Sequence, residues 1–293
     1  MFSWRSAAPA ESQAAVATDG SGADPLHIVV PPEAVAALQS AVAEELDSPA
    51  GREMVAALGG DPHAFERFLC AAGLDIDIAV ERLRATLGFR RDELSKLLPI
   101  DADLRAKVRP HWPGAFVGRS SDGKPIKLVK FEKVAPRAMM ELVSEEEFRT
   151  YYIHMMELSL KHQAACGNSK QVEIYDLSGL SLSQLYVPAI RMFARVLGVG
   201  QAHYMESLHR CVVVNAPYAF SYAWSIVSMV LSERSRAKTI ILSDDGVETL
   251  TAICGFERAR VAELLATDVY GEDKEGLSLL AASSSSAPAE EIS

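Results

Sequence analysis

The chain has 293 residues, 49% of them hydrophobic and 23% charged, and a formal net charge of −10. This is the composition of a soluble globular protein with a large core, in one domain or two. Its acidity argues against non-specific binding to nucleic acid or to an anionic membrane. Cys70, Cys166, Cys211 and Cys254 are widely spaced and form no CxxC, so they read as reduced thiols of an intracellular protein and not as a disulfide frame or zinc site.

Residues 1–31 are rich in Ala, Ser, Gly and Pro and lack an apolar h-region. A disordered tail is expected there, not a secretory signal. Arg5 and the Ala/Ser content have a faint transit-peptide character, which Glu11, Asp19 and Asp24 oppose. Residues 32–110 read as a small helical domain. "PPEAVAALQSAVAEEL" has Pro at a helix entry, and "DPHAFERFLCAAGL" offers Asp61 as a cap with Pro62 at the first helical position. The next run, "DIDIAVERLRATLGFRRDELSKLL", places Ile76, Ile78, Ala79, Leu83 and Leu87 on one stripe.

Residues 111–276 alternate strand and helix patterns. "KPIKLVKF" is a predicted strand behind the turn "SDGK". "SEEEFRTYYIHMMELSLKHQAA" is a helix with a Ser144/Glu147 capping box. "QVEIYDL" is a strand, and "SLSQLYVPAIRMFARVLGV" is a helix with a kink expected at Pro188. "CVVV" and "KTIILS" are further strands. This alternation predicts an α/β fold with a largely parallel sheet. Residues 277–293 are Ser/Ala-rich and are expected to be a second disordered tail.

Residues 211–232 contain no Asp, Glu, Lys or Arg, and 22 residues could span a bilayer as a helix. The stretch divides instead. Its β-branched start reads as a buried strand, Asn215 supplies a turn, and Pro217 suits a helix entry. The helix predicted over 218–231 has Ser221, Ser225 and Ser228 as its only polar residues, with no charged outer face. It is either a core helix or a helix that closes an apolar cavity and meets a lipid surface.

The run "YMESLHRCVVVNAPYAFSYAWSIVSMVLSERSRAKTIIL" resembles the signature of the CRAL-TRIO lipid-binding family, most nearly its phosphatidylinositol/phosphatidylcholine transfer proteins. "RFLCAAGLDIDIAVERLRATLGFR", "DGKPIKLVKF" and "YDLSGLSL" resemble three further family stretches in the same order, so the likeness covers roughly 60–265. It implies a small helical domain before an α/β/α domain whose sheet floors an apolar lipid pocket. The pocket would be closed by a mobile gate helix carrying Tyr218, Phe220, Tyr222, Trp224, Ile226, Val227 and Met229.

The resemblance assigns the inositol-lipid headgroup to Glu206, Ser235 and Lys238, an acceptor, a hydroxyl and an ammonium. A plain Glu206–Lys238 salt bridge is compatible with that role. Two family arginines on the helical domain fall on Cys70 and Ala72, a departure. The family's choline-headgroup positions fall on Phe116, Lys127, Gln171 and Glu173, a degenerate second-lipid site that disfavours phosphatidylcholine.

The seven His lack metal-ligand spacing, and Asp176 reads as a strand-end turn residue. Residues 105–137 hold nine Lys or Arg against Asp122 and Glu132, either a solvated face or a patch that steers toward an anionic surface. The functional expectation is a monomeric lipid-transfer protein, cytoplasmic and peripheral at membranes, with a bound phospholipid as ligand. No enzyme activity, cofactor, metal or nucleic-acid partner is expected. The alternative is an interaction scaffold whose pocket is filled by side chains or by an adventitious lipid.

Overall fold

The computed structural model describes residues 26–112 and 114–269. All but the last six residues of the expected N-terminal tail (26–31), and the whole expected C-terminal tail, lie outside that range.

Helices Pro32–Ala41, Pro49–Ala57, His63–Ala71 and Ile76–Phe89 make a helical layer. Ser48 and Asp75 cap the second and fourth, each accepting a backbone N–H at 3.0 Å, from Gly51 and Ile78. Asp61 is not a cap: its carboxylate takes Gln39 Nε2 at 2.9 Å, and the helix begins at His63. Ile78 leaves the predicted stripe. Starting the helix at Ile76 turns it outward, 42% exposed, while Ala79, Leu83, Thr86 and Leu87 face inward. The core of this layer includes Leu38, Met54, Phe68 and Leu83, and also Ile153, Met156, Tyr204 and Met205 from beyond the helical segment. One continuous apolar surface therefore docks the helices onto the rest of the chain.

The sheet runs β1 (Gly114–Arg119), β2 (Pro125–Lys130), β3 (Gln171–Asp176), β4 (Leu208–Val214), β5 (Thr239–Ile241), side by side in that order. β1 is antiparallel to β2, and the other pairs are parallel. β1 has no counterpart in the sequence reading, because Gly114 and Gly118 dilute its strand character. Side chains alternate across the sheet. Ile126, Leu128, Val172, Ile174, Val212 and Val214 pack on helices Val247–Cys254 and Arg258–Ala266. The opposite face meets helices Glu145–Ala165 and Val187–His203.

The Ser144/Glu147 capping box is present, with Ser144 N donating to Glu147 Oε2 at 2.8 Å and Glu147 N to Ser144 Oγ at 3.2 Å. Pro188 produces no kink. A 3-10 turn at Leu182–Gln184 precedes it, and Pro188 lies in the first turn of Val187–His203, where its missing N–H costs nothing.

The uncharged stretch 211–232 divides at Asn215, whose φ is +53°. Asn215 Nδ2 donates to Asp176 Oδ1 at 2.8 Å, and the same oxygen accepts from Ser178 N at 2.9 Å. Asp176 thus ties the ends of β3 and β4 together. The helix that follows is Phe220–Val227, shorter than the predicted 218–231, with turns on both sides. Ser232 then caps the short helix Glu233–Ala237 by accepting from Ser235 N at 3.1 Å. Among the described residues no helix is long and apolar enough to cross a membrane. The basic stretch 105–137 is not one cationic face: Lys127 is buried, Lys107 pairs with Asp103, Lys124 pairs with Asp122, and Arg137 lies over the Tyr186 ring.

Candidate functional site

A cavity of about 450 Å³ lies between the sheet and helix Phe220–Val227. That size suits a ligand of several hundred daltons. Glu173, Tyr175, Cys211 and Val213 contribute to its floor, and Ile190, Phe193 and Leu197 form one wall. Phe220, Ala223, Trp224 and Val227 roof it at helical spacing, with Leu231 beyond them.

The outer side of this helix and its flanking turns is apolar too, with Tyr222 of the helix 52% exposed and Tyr218 and Met229 of the turns each 74% exposed. Ser221 and Ser225 donate their hydroxyls back to the carbonyls of Tyr218 and Tyr222, both at 2.7 Å, so their polarity is partly spent within the helix. Of the predicted gate residues, Phe220, Trp224 and Val227 line the cavity, Tyr218, Tyr222 and Met229 face outward, and Ile226 is half-buried outside the lining.

The mouth is charged. Glu206, Ser235 and Lys238 all line it. Lys238 Nζ donates to Glu206 Oε2 at 2.7 Å. The same carboxylate takes the Arg234 fork, Nε to Oε1 at 2.8 Å and Nη2 to Oε2 at 3.2 Å. The sequence reading missed Arg234, although its i, i+4 spacing from Lys238 places both on one side of the chain's turn. Ser235 is committed within the protein, its hydroxyl donating to Gln201 Oε1 at 3.0 Å. Burial alone would raise the Glu206 carboxyl, but Arg234 and Lys238 outweigh it and hold the group at about 2. Burial draws Lys238 below the ordinary lysine range, with Glu206 opposing.

Glu206 sits at φ +58°, a left-handed turn rare for a non-glycine residue. Its neighbours are fixed by Arg67, also missed in the sequence. Arg67 Nη1 donates to Ser207 Oγ at 2.8 Å and Met205 O at 3.4 Å, and Nε donates to Leu58 O at 2.9 Å. Burial lowers this guanidinium to about 10, with Glu206 pulling the other way. The clue in the sequence is an arginine inside the apolar run "FERFLC", where only a fully bonded guanidinium can be buried.

From Arg67 a polar chain crosses the cavity floor. Its Nη2 donates to Gln163 Oε1 at 2.7 Å, Gln163 Nε2 to Gln171 Oε1 at 3.1 Å, and Gln171 Nε2 to Glu173 Oε1 at 2.7 Å. Tyr175 OH also donates to Glu173, at 2.9 Å, and Lys127 Nζ stands 4.0 Å from it. Burial first, then the Glu173 charge, raises the Tyr175 phenol well above its usual value. Of the four degenerate-site residues, Gln171, Glu173 and Lys127 come together. Phe116 stands beside them, opposite Lys127 in the β1–β2 register, and its ring stacks on His162 with centroids 3.8 Å apart.

The CRAL/TRIO domain profile matches residues 110–257, just over half of the 293. The chain belongs to the CRAL/TRIO family. Among its relatives are Protein real-time of Anopheles gambiae and the phosphatidylinositol/phosphatidylcholine transfer protein SFH11 of Arabidopsis thaliana. The first is 27% identical over 195 residues, 62% of this chain and 28% of that protein. The second is 27% identical over 204 residues, 66% of this chain and 54% of that protein. The chain therefore spans less than a third of the former and about half of the latter. The solved structure described as "Crystal structure of Sfh5" superposes with a TM-score of 0.59 at 16% identity, covering 87% of this chain and 98% of that one. That likeness concerns the fold: helical layer, mostly parallel sheet and covering helices. Side chains do not fill the CRAL/TRIO cavity here, contrary to one form of the scaffold alternative.

Proposed function

We propose that this CRAL/TRIO chain carries one phospholipid with an inositol headgroup, shielding the acyl chains in the cavity and exchanging the lipid at a membrane. The observation that carries this reading is an apolar cavity roofed by an uncharged helix and opening on a cluster of two cations and one carboxylate. Exposing a lipid chain to water costs about 0.8 kcal/mol per CH₂, so a carrier must enclose it. A helix without charges can swing into the headgroup region at little cost, and its exposed tyrosines suit an interface. Relatives named as phosphatidylinositol/phosphatidylcholine transfer proteins support the lipid class. Phosphatidylcholine is the poorer ligand in this reading, because Lys127, Gln171 and Glu173 bond among themselves.

In the same reading 32–110 is the helical domain and 111–276 the lipid-binding domain. The chain acts as a monomer from the cytoplasm, contacts membranes peripherally, and binds and releases its lipid without chemical change or cofactor. Native mass spectrometry of the purified chain tests this. A stoichiometric phospholipid is expected, and a chain that stays empty after incubation with phosphatidylinositol vesicles refutes it.

A further inference from the structure

The helix Ile76–Phe89 carries an arginine with no evident structural use. Arg84 turns outward and pairs with Glu45, and Arg90, just beyond the helix, forks onto Glu157 at 2.7 and 3.2 Å. Arg82, by contrast, makes no hydrogen bond or ion pair among the described residues, yet it lines the cavity. Its place follows from helix geometry. Arg82, Thr86 and Phe89 share one face at i, i+4 and i+7. Phe89 stacks on His203 at 4.2 Å, and Thr86 lies 3.4 Å from His203 Nδ1. Arg82 is one turn, about 6 Å, farther along, and like Ala71 it lines the cavity. Near His203 in the chain, Gln201 is the residue that binds Ser232 and Ser235 of the mouth. Arg82 thus reaches the cavity from the side of the helical layer, where Cys70, the chain neighbour of the lining residue Ala71, is within electrostatic reach of Glu206, Arg234 and Lys238.

The charge balance there asks for an anion. Arg82, Arg234 and Lys238 line this end against Glu206 and the exposed Glu233. Lys238 is the more buried of the two partners of Glu206, its side chain only 5% exposed, whereas the Arg234 side chain, which holds the same carboxylate through Nε and Nη2, is 26% exposed. An arginine fork matches phosphate oxygens better than an ammonium does.

We propose that Arg82 and Arg234 are the phosphate-binding pair of the mouth, and that Lys238 stays on Glu206 as the ion pair that orients Arg234. This rests on the phospholipid reading above and names the residues that take the phosphate. It also gives the helical layer a ligand contact despite the neutral Cys70 and Ala72.

The test compares wild type, Arg82→Gln and the helix-matched control Arg84→Gln in full-length chain. Gln has nearly the helix propensity of Arg, and equal melting temperatures establish that the variants fold. Binding is measured to phosphatidylinositol in neutral vesicles, to diacylglycerol with the same acyl chains, and to soluble inositol 1-phosphate. Arg82→Gln is expected to weaken phosphatidylinositol binding about tenfold, with diacylglycerol binding and the Arg84→Gln control unchanged. Inositol 1-phosphate, lacking chains, is expected to bind at least a hundredfold more weakly than the lipid. Unchanged phosphatidylinositol binding in Arg82→Gln, or an equal loss for diacylglycerol, overturns the assignment while leaving the carrier reading in place. Soluble inositol phosphate binding as tightly as the lipid overturns a lipid-phosphate site. Wild type that binds neither lipid refutes the carrier reading itself.

Discussion

The mouth predicts an asymmetry between its two ion-pair partners. Replacing Lys238 by Ala leaves Glu206 still gripped by both arms of the Arg234 fork, so the loss is one charge-assisted hydrogen bond and the lysine stem, about 1–2 kcal/mol. Replacing Glu206 by Gln leaves the Lys238 ammonium buried beside Arg234 with the shared carboxylate gone. Arg234 can turn toward water, but Lys238 cannot. The cost follows from the carboxyl itself, lowered from 4.5 to about 2. That displacement is worth about 3 kcal/mol at neutral pH, or a fall of roughly 6–12 °C in Tm for a chain of this size. Because the folded-state value is depressed, the contribution is complete above 4.5 and disappears as pH falls toward 2. Urea unfolding of wild type, Glu206→Gln and Lys238→Ala at pH 7, 5, 4 and 3 measures this directly. Glu206→Gln should be the less stable variant at pH 7, and its deficit from wild type should shrink steadily below pH 4.5. A deficit of the same size at pH 7 and pH 3, or a Lys238→Ala variant less stable than Glu206→Gln, refutes the reasoning.

Three further outcomes are expected. Arg67→Ala leaves the carbonyls of Leu58 and Met205 and the Gln163 amide without their buried donor, and should cost about 3–5 kcal/mol in urea unfolding; a loss under 1 kcal/mol would show that the clamp is dispensable. Tyr222→Glu puts a charge on the exposed side of helix Phe220–Val227; in the proposed carrier, transfer between vesicles should slow about tenfold while Tm and the bound-lipid stoichiometry hold, and unchanged transfer would remove this face from membrane contact. Gly200→Ala sets a methyl group against the Tyr152 hydroxyl at the cavity wall; the ring must shift, and lipid occupancy by native mass spectrometry should fall, whereas full occupancy would place the ring's movement away from the ligand.

Much of this protein is written locally. The capping box at Ser144 and Glu147, the strand-like runs of β2 to β5, and the break at Asn215-Ala216-Pro217 each depend on neighbours a few residues apart, so periodicity and turn chemistry reveal them. That local record divides the uncharged stretch into a strand and a helix, and the motif order points to the CRAL/TRIO fold. Errors arose where a local signal had two readings: Pro188 marks a helix start as readily as a kink, and Asp61 a tertiary contact as readily as a cap.

The site is a different matter. Glu206, Arg234 and Lys238 converge from the turn before β4 and from the short helix before β5, and Arg67 bonds to Met205 and Ser207, on either side of Glu206, from more than a hundred positions away in the chain. No spacing rule encodes those meetings, because they depend on how the helical layer docks against the sheet. The two faces of helix Phe220–Val227 show the same limit. Composition alone could only say that it carries no charge; packing over the cavity decides that Trp224 faces inward and Tyr222 outward. The sequence by itself determined the elements and their family, since these follow from short-range backbone preference and side-chain pattern. Only the tertiary structure decided which charges share one carboxylate and which arginine faces the cavity, since burial and Coulomb interaction depend on distance in space and not along the chain.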